Sequence, residues 1–130
     1  MAAIDTNILI RYLVRDDEGQ FKQVLALFEE YRENSLRINV PVIIEAAWVL
    51  SGSYNYSKDE LIKTFRHLIK TEGLDVQNDK IIEKALDMYE HSNADFEDCM
   101  ITAQNEFTNH SPTFTFDKKA SKLKGMKLLK

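Results

Sequence analysis

The chain has 130 residues, 44% hydrophobic and 29% charged, with a formal net charge of −4, the composition of an ordinary soluble globular protein forming one domain, 1–130. Its one cysteine, Cys99, excludes an intrachain disulfide framework and a Cys-based zinc site and favours a reducing cytoplasm. The apolar stretches fall far short of spanning length and the N-terminus lacks a basic-then-apolar leader pattern, so no membrane role is expected.

Taken in order, Ala2-Ala3-Ile4 reads as a short buried strand delivering Asp5, and Asn7 to Val14 as a helix with Ile8, Leu9, Tyr12 and Leu13 at helical spacing. A polar break, Arg15 to Gly19, leads to a second helix ending near Glu33, with Phe21, Val24, Leu25 and Phe28 on one face. Leu36 to Val40 alternates as a strand. Pro41 then suits a helix start, and Val42 to Leu50 reads as a largely buried helix in which Glu45 is the only charge. Ser57 with Glu60 forms a capping box for a helix to about Thr71. Leu74 to Val76 is a third strand, and Asn78 to His91 an amphipathic helix. Another helix begins at Asp95 and runs to about Phe107. Thr113 to Phe116 is a fourth strand delivering Asp117; a short helix over Lys118 to Lys124 stops at Gly125, and Met126 to Leu129 is a last edge strand.

Strands alternating with helices predict a three-layer α/β/α fold around a central parallel sheet of four to five strands. In such a sheet all strand C-termini lie at one rim, where ligand crevices form. Asp5 and Asp117 end strands, Glu45 lies one turn into the helix after the second strand, and Asp95 and Asp98 share a first helical turn. Five carboxylates from distant parts of the chain are thus expected to meet. Each has a structural alternative. Asp95, Asp5 and Asp117 could be helix caps, and Glu45, which as a buried charge needs a partner, could pair with Arg11. An ion held by the whole set explains all of them, and oxygen-only ligands suit Mg²⁺ or Mn²⁺. Clustered carboxylates should also raise at least one pKa in the metal-free protein. His67, His91 and His110 make no metal-ligand spacing and read as surface or packing residues.

The acidic balance hides a basic end. From Lys118 to Lys130 there are six lysines and no acid, a pattern suited either to phosphate binding or to a solvated tail. Arg11 and Arg15 follow the opening strand.

Four stretches, Ile4-Asp5-Thr6-Asn7-Ile8-Leu9, Ile43-Ile44-Glu45-Ala46, Asp95-Phe96-Glu97-Asp98-Cys99-Met100-Ile101 and Thr115-Phe116-Asp117-Lys118, occur in this order. Together they resemble PIN-domain ribonucleases, in particular the VapC-type toxins of toxin–antitoxin pairs, along the whole chain. The resemblance implies a PIN-like fold in which Asp5, Glu45, Asp98 and Asp117 are catalytic and hold Mg²⁺ or Mn²⁺. It makes Asp95 auxiliary and matches Thr6, Asn7 and Thr115 to polar positions beside the acids. It also implies an RNA substrate cleaved to a 3′-hydroxyl and a 5′-phosphate, a homodimer, a cognate antitoxin in the active-site groove, and DNA contact only through that antitoxin. Arg11, Arg15, Lys118 and Lys119 are the expected RNA-backbone contacts. Two rivals stand beside this reading. One is a phosphotransfer or phosphatase domain with Asp5 as nucleophile; the other is a binding module that acts only through an antitoxin–DNA complex.

Overall fold

A computed structural model describes residues 2–130, which form two compact units, the first ending at Asn78 and the second spanning Asp79–Lys130. In the first unit, strands β1 (Ala2–Ala3), β2 (Leu36–Ile38) and β3 (Leu74–Val76) make a parallel sheet in the order β1-β2-β3. Ala2 pairs with Leu36, and Leu36 with Leu74. Alternation along β2 and β3 buries Leu36, Ile38, Leu74 and Val76 on one side. On the other side Arg37 and Asp75, register partners, form an ion pair at 2.7 Å.

Four helices belong to this unit: α1 (Thr6–Leu13), α2 (Glu18–Glu30), α3 (Val40–Ser53) and α4 (Lys58–Ile69). Leu9, Ile43, Leu50, Phe65 and Leu68 are almost wholly buried in its core. The capping box holds in full, Glu60 N–H donating to Ser57 Oγ at 3.1 Å and Ser57 N–H to Glu60 Oε1 at 2.9 Å. The second strand ends at Ile38 instead of Val40, because Asn39 turns the chain and caps α3 through the Val42 N–H at 3.1 Å. On α2 only Val24 is buried; Leu25 is 43% exposed, while Phe28 meets Tyr12 of α1 with ring centroids 4.7 Å apart.

The second unit pairs α5 (Asp79–Glu90) with α6 (Phe96–Phe107), burying Ile82, Ala85, Leu86, Cys99, Thr102 and Ala103. Strands β4 (Thr113–Thr115) and β5 (Met126–Leu128) form a second parallel sheet. Parallel strands and helices follow the expected α/β pattern, with the five strands divided into sheets of three and two. The helix expected over Lys118 to Lys124 is a single 3₁₀ turn, Ala120–Lys122, because Leu123 already returns to extended backbone.

Gly125 enters β5 with φ +99°, and its N–H-flanking turn lies so close to α6 that a Cβ there would run into the Glu106 carboxylate and the Thr102 methyl. Glu106 is held by Lys84 at 2.8 Å. Gly125→Ala is expected to destabilise the protein by about 1–3 kcal/mol in urea unfolding, from backbone strain and overpacking together.

Candidate active site

Each strand end delivers its polar residue as expected, but the residues do different work there. Asp5 leaves β1 in extended conformation and caps α1, its Oδ1 accepting from the Ile8 N–H at 3.0 Å. One carboxylate oxygen is thereby fixed and the side chain remains exposed. Thr6 beside it is buried, backing the acid from the core side, and Asn7 is exposed. Asp117 behaves in the same way after β4. Its Oδ1 accepts from Lys119 N–H at 2.8 Å and Ala120 N–H at 3.1 Å, and its own N–H donates to Thr115 Oγ1 at 3.0 Å. Thr115 therefore fixes the backbone that presents Asp117.

Asp95 stands at the cap position of α6, yet its side chain makes no capping bond. It is exposed, with one weak ion pair to Lys119 at 3.5 Å. So the acid that looks most like a cap from its spacing is the one whose carboxylate is left available, whereas Asp5 and Asp117 do cap.

Glu45 corrects one sequence inference. The run around it is apolar, but α3 buries Val42, Ile43, Ala46, Ala47 and Leu50 on one face and turns Glu45 outward with Trp48, which is 82% exposed. Glu45 is therefore exposed to water, and the buried charge that would require a counter-ion is not there. Arg11 is committed elsewhere, to Gln20 at 2.6 Å, Asp16 at 3.4 Å and Tyr54 at 3.5 Å.

Within the second unit Asp98 and Asp117 do meet electrostatically. Burial pushes the half-buried Asp98 carboxyl up, and the negative charges of Asp95, Asp117 and Glu97 push it further, with Lys119 opposing. The expectation that clustered acids lift at least one pKa is met here. Glu97 and Tyr89 escaped the sequence reading as neighbours of the site. Tyr89 stacks against Phe96 at 5.7 Å, and burial together with Asp95 pushes its hydroxyl up, keeping it a proton donor.

The expected phosphate contacts divide. Arg15 is held by Glu18 at 2.8 Å and lies over the Phe21 ring, and Lys119 is paired with Asp95. The exposed ammonium of Lys118 has no ion pair among the described residues. All three histidines are exposed and Cys99 is buried, as expected. Among the described residues no three His, Cys, Asp or Glu side chains are already gathered as a metal site. The donor chemistry still fits a hard divalent cation: Asp98, Asp95 and Asp117 offer oxygen only, and the charge they accumulate is what such a cation relieves. No helix of the described chain is long and apolar enough to cross a membrane.

The profile of the PIN domain family matches residues 2–126. No curated protein matches the chain.

Because the folded state raises the Asp98 pKa, its ionisation costs stability at neutral pH. That cost disappears as pH falls through the raised pKa towards the ordinary carboxylate range. Asp98→Asn is therefore expected to melt higher than the unsubstituted protein at pH 7 in chelator, with the difference shrinking on acidification. Asp5→Ala is expected to lose about 1 kcal/mol with its cap, and Asp5→Asn to retain that stability.

Proposed function

Since the chain belongs to the PIN domain family, with its nuclease-type, metal-dependent fold, we propose that it is a Mg²⁺- or Mn²⁺-dependent endoribonuclease, the toxin of a toxin–antitoxin pair. The observation that carries this reading is the match to that family over residues 2–126, supported by the acids Asp95, Glu97 and Asp117 acting on the half-buried Asp98. Asp5, Glu45, Asp98 and Asp117 are the proposed ligands, with Asp95, Thr6, Asn7 and Thr115 supporting them.

A divalent ion held by such carboxylates supplies Lewis acidity to a scissile phosphate and lowers the pKa of an attacking water. The chain's own contribution is positional. The caps leave Asp5 and Asp117 one fixed and one free oxygen each, so neither side chain must be ordered at the moment of binding. Thr115 holds the Asp117 backbone, and Lys118 is free to attract the RNA backbone. Arg11 and Arg15, already paired with acids, are proposed to exchange those partners for phosphate.

A homodimer, a cytoplasmic location and an antitoxin that also carries the DNA contact belong to the same proposal. A cavity of about 380 Å³ between α1 and α2, lined by Ile8, Val24 and Leu27 with Asn7, Arg11 and Gln20 at its polar side, is the proposed antitoxin seat. Its mixed lining suits an amphipathic segment with an apolar anchor.

With Mn²⁺ and total cellular RNA, cleavage by the unsubstituted protein is expected, and Asp5→Asn and Asp98→Asn are each expected to reduce it by more than about 100-fold, beyond the loss typical of a supporting group. Mn²⁺ should also raise the melting temperature of the unsubstituted protein and leave that of Asp98→Asn nearly unmoved. Absence of both effects rejects the metal-nuclease reading. An intact-mass gain of one phosphoryl group on Asp5 after incubation with a phosphoryl donor would establish the phosphotransfer rival instead.

A further inference from the structure

Phe114 in β4 and Phe116, in the bend directly after it, are 59% and 77% exposed. Parallel register sets Phe114 beside Lys127. The Leu129 N–H donates to Thr115 O at 2.8 Å just past the end of β5, and Leu129 is 49% exposed. This end of the second unit's sheet therefore carries two exposed aromatic rings, an exposed leucine and an exposed lysine. Thr113, Thr115, Met126 and Leu128 are half-buried.

Exposed rings of this size need an explanation. Lysine on an edge strand is a common guard against strand-to-strand aggregation, which accounts for Lys127 but makes two neighbouring exposed phenylalanines harder to understand. The charge around them indicates the occupant. Six lysines and no acid occupy positions 118–130, and among the described residues only Lys119 of these makes an ion pair. A second copy of this chain would bring this basic surface against itself. A polyanion with flat apolar faces satisfies both the lysines and the rings.

We propose that Phe114 and Phe116, flanked by Lys127, form a stacking platform for two unpaired bases of a single-stranded RNA. The proposal rests on the ribonuclease reading for the choice of RNA. The two rings sit on separate residues two apart in sequence, so each can take one base without requiring those bases to stack on one another. Phe116 directly precedes Asp117, so a base held there puts its backbone beside that acid. The platform selects strandedness over sequence, because every unpaired base has a π-face whereas a duplex hides its faces and offers mainly its backbone.

The test is binding of a fluorescently labelled 20-nucleotide mixed-sequence RNA, in chelator so that nothing is cleaved, compared with the same RNA as a duplex. The Phe114→Leu/Phe116→Leu double variant keeps apolar bulk but loses the rings, and is expected to weaken single-strand binding by about 25-fold or more, given the several-fold loss typical of each stacked base. Duplex binding should change little. Phe114→Trp/Phe116→Trp is expected to restore or exceed the original single-strand affinity, which separates stacking from a folding defect. Lys127→Gln should reduce the slope of log affinity against log salt by about 0.7.

Single-strand binding unchanged in the leucine variant overturns the platform. So does a tryptophan variant that binds as weakly as the leucine one, or a leucine variant that turns a dimer into a monomer in sedimentation, which would assign the face to a second copy. The nuclease reading is scored separately by adding Mn²⁺ to the unsubstituted protein with the same RNA. Ring-dependent binding without cleavage keeps the platform and rejects the nuclease; cleavage without ring-dependent binding does the reverse.

Discussion

The first backbone N–H groups of a helix need an acceptor, and at the helical turns following β1 and β4 that acceptor is an aspartate proposed to hold a metal ion. Asp5 and Asp117 are each divided between two tasks, one oxygen holding backbone N–H groups and the other left outward. Both acids lie two residues past the end of a strand, in the connection that leads into a helical turn. Asn39 does the same for β2 and α3 without any charge, so the turn geometry is general to this chain and the acids are what particular turns add.

Electrostatics then separates the acids by their surroundings. Asp98 sits half-buried in the first turn of α6, where Asp95, Glu97 and Asp117 all oppose its ionisation. Glu45 and Asp5 are open to water. A carboxylate in water is inexpensive to keep ionised, whereas one pressed among like charges has stored a preference for a cation. The second unit therefore carries the stronger electrostatic signature, although the chain's opening strand and its acid attract the eye first in the sequence.

Much of the element order was legible because each piece is bounded by local chemistry. Ser57 with Glu60 marks a helix start, Gly125 marks a turn, and the alternation of Leu36-Arg37-Ile38 marks a half-buried strand. What misled was amphipathicity concealed in an apolar run. Between Val42 and Leu50 the buried face and the outward face are both apolar, so periodicity gives no sign that Glu45 and Trp48 share the solvent side. The choice left open at Asp95 was not legible either, because its backbone is extended like that of the capping Ser57 and only the side-chain orientation decides whether the carboxylate reaches the N–H groups. The division of the strands into two sheets depends on long-range pairing, Thr113 with Met126 for example, which no local pattern encodes. Phe114 and Phe116 read as ordinary strand residues because alternation says which residues share a side and not which side meets water.

The outward tryptophan has a practical side. It is the chain's only one, and at 82% exposure its indole is already surrounded by solvent in the native state. Emission from such a ring changes little when the core melts, so an intrinsic-fluorescence curve on this protein would follow the surface of α3 and miss the collapse around Leu50 and Phe65. Far-ultraviolet ellipticity, which reports the six helices, is the observable on which its folding equilibrium can be read.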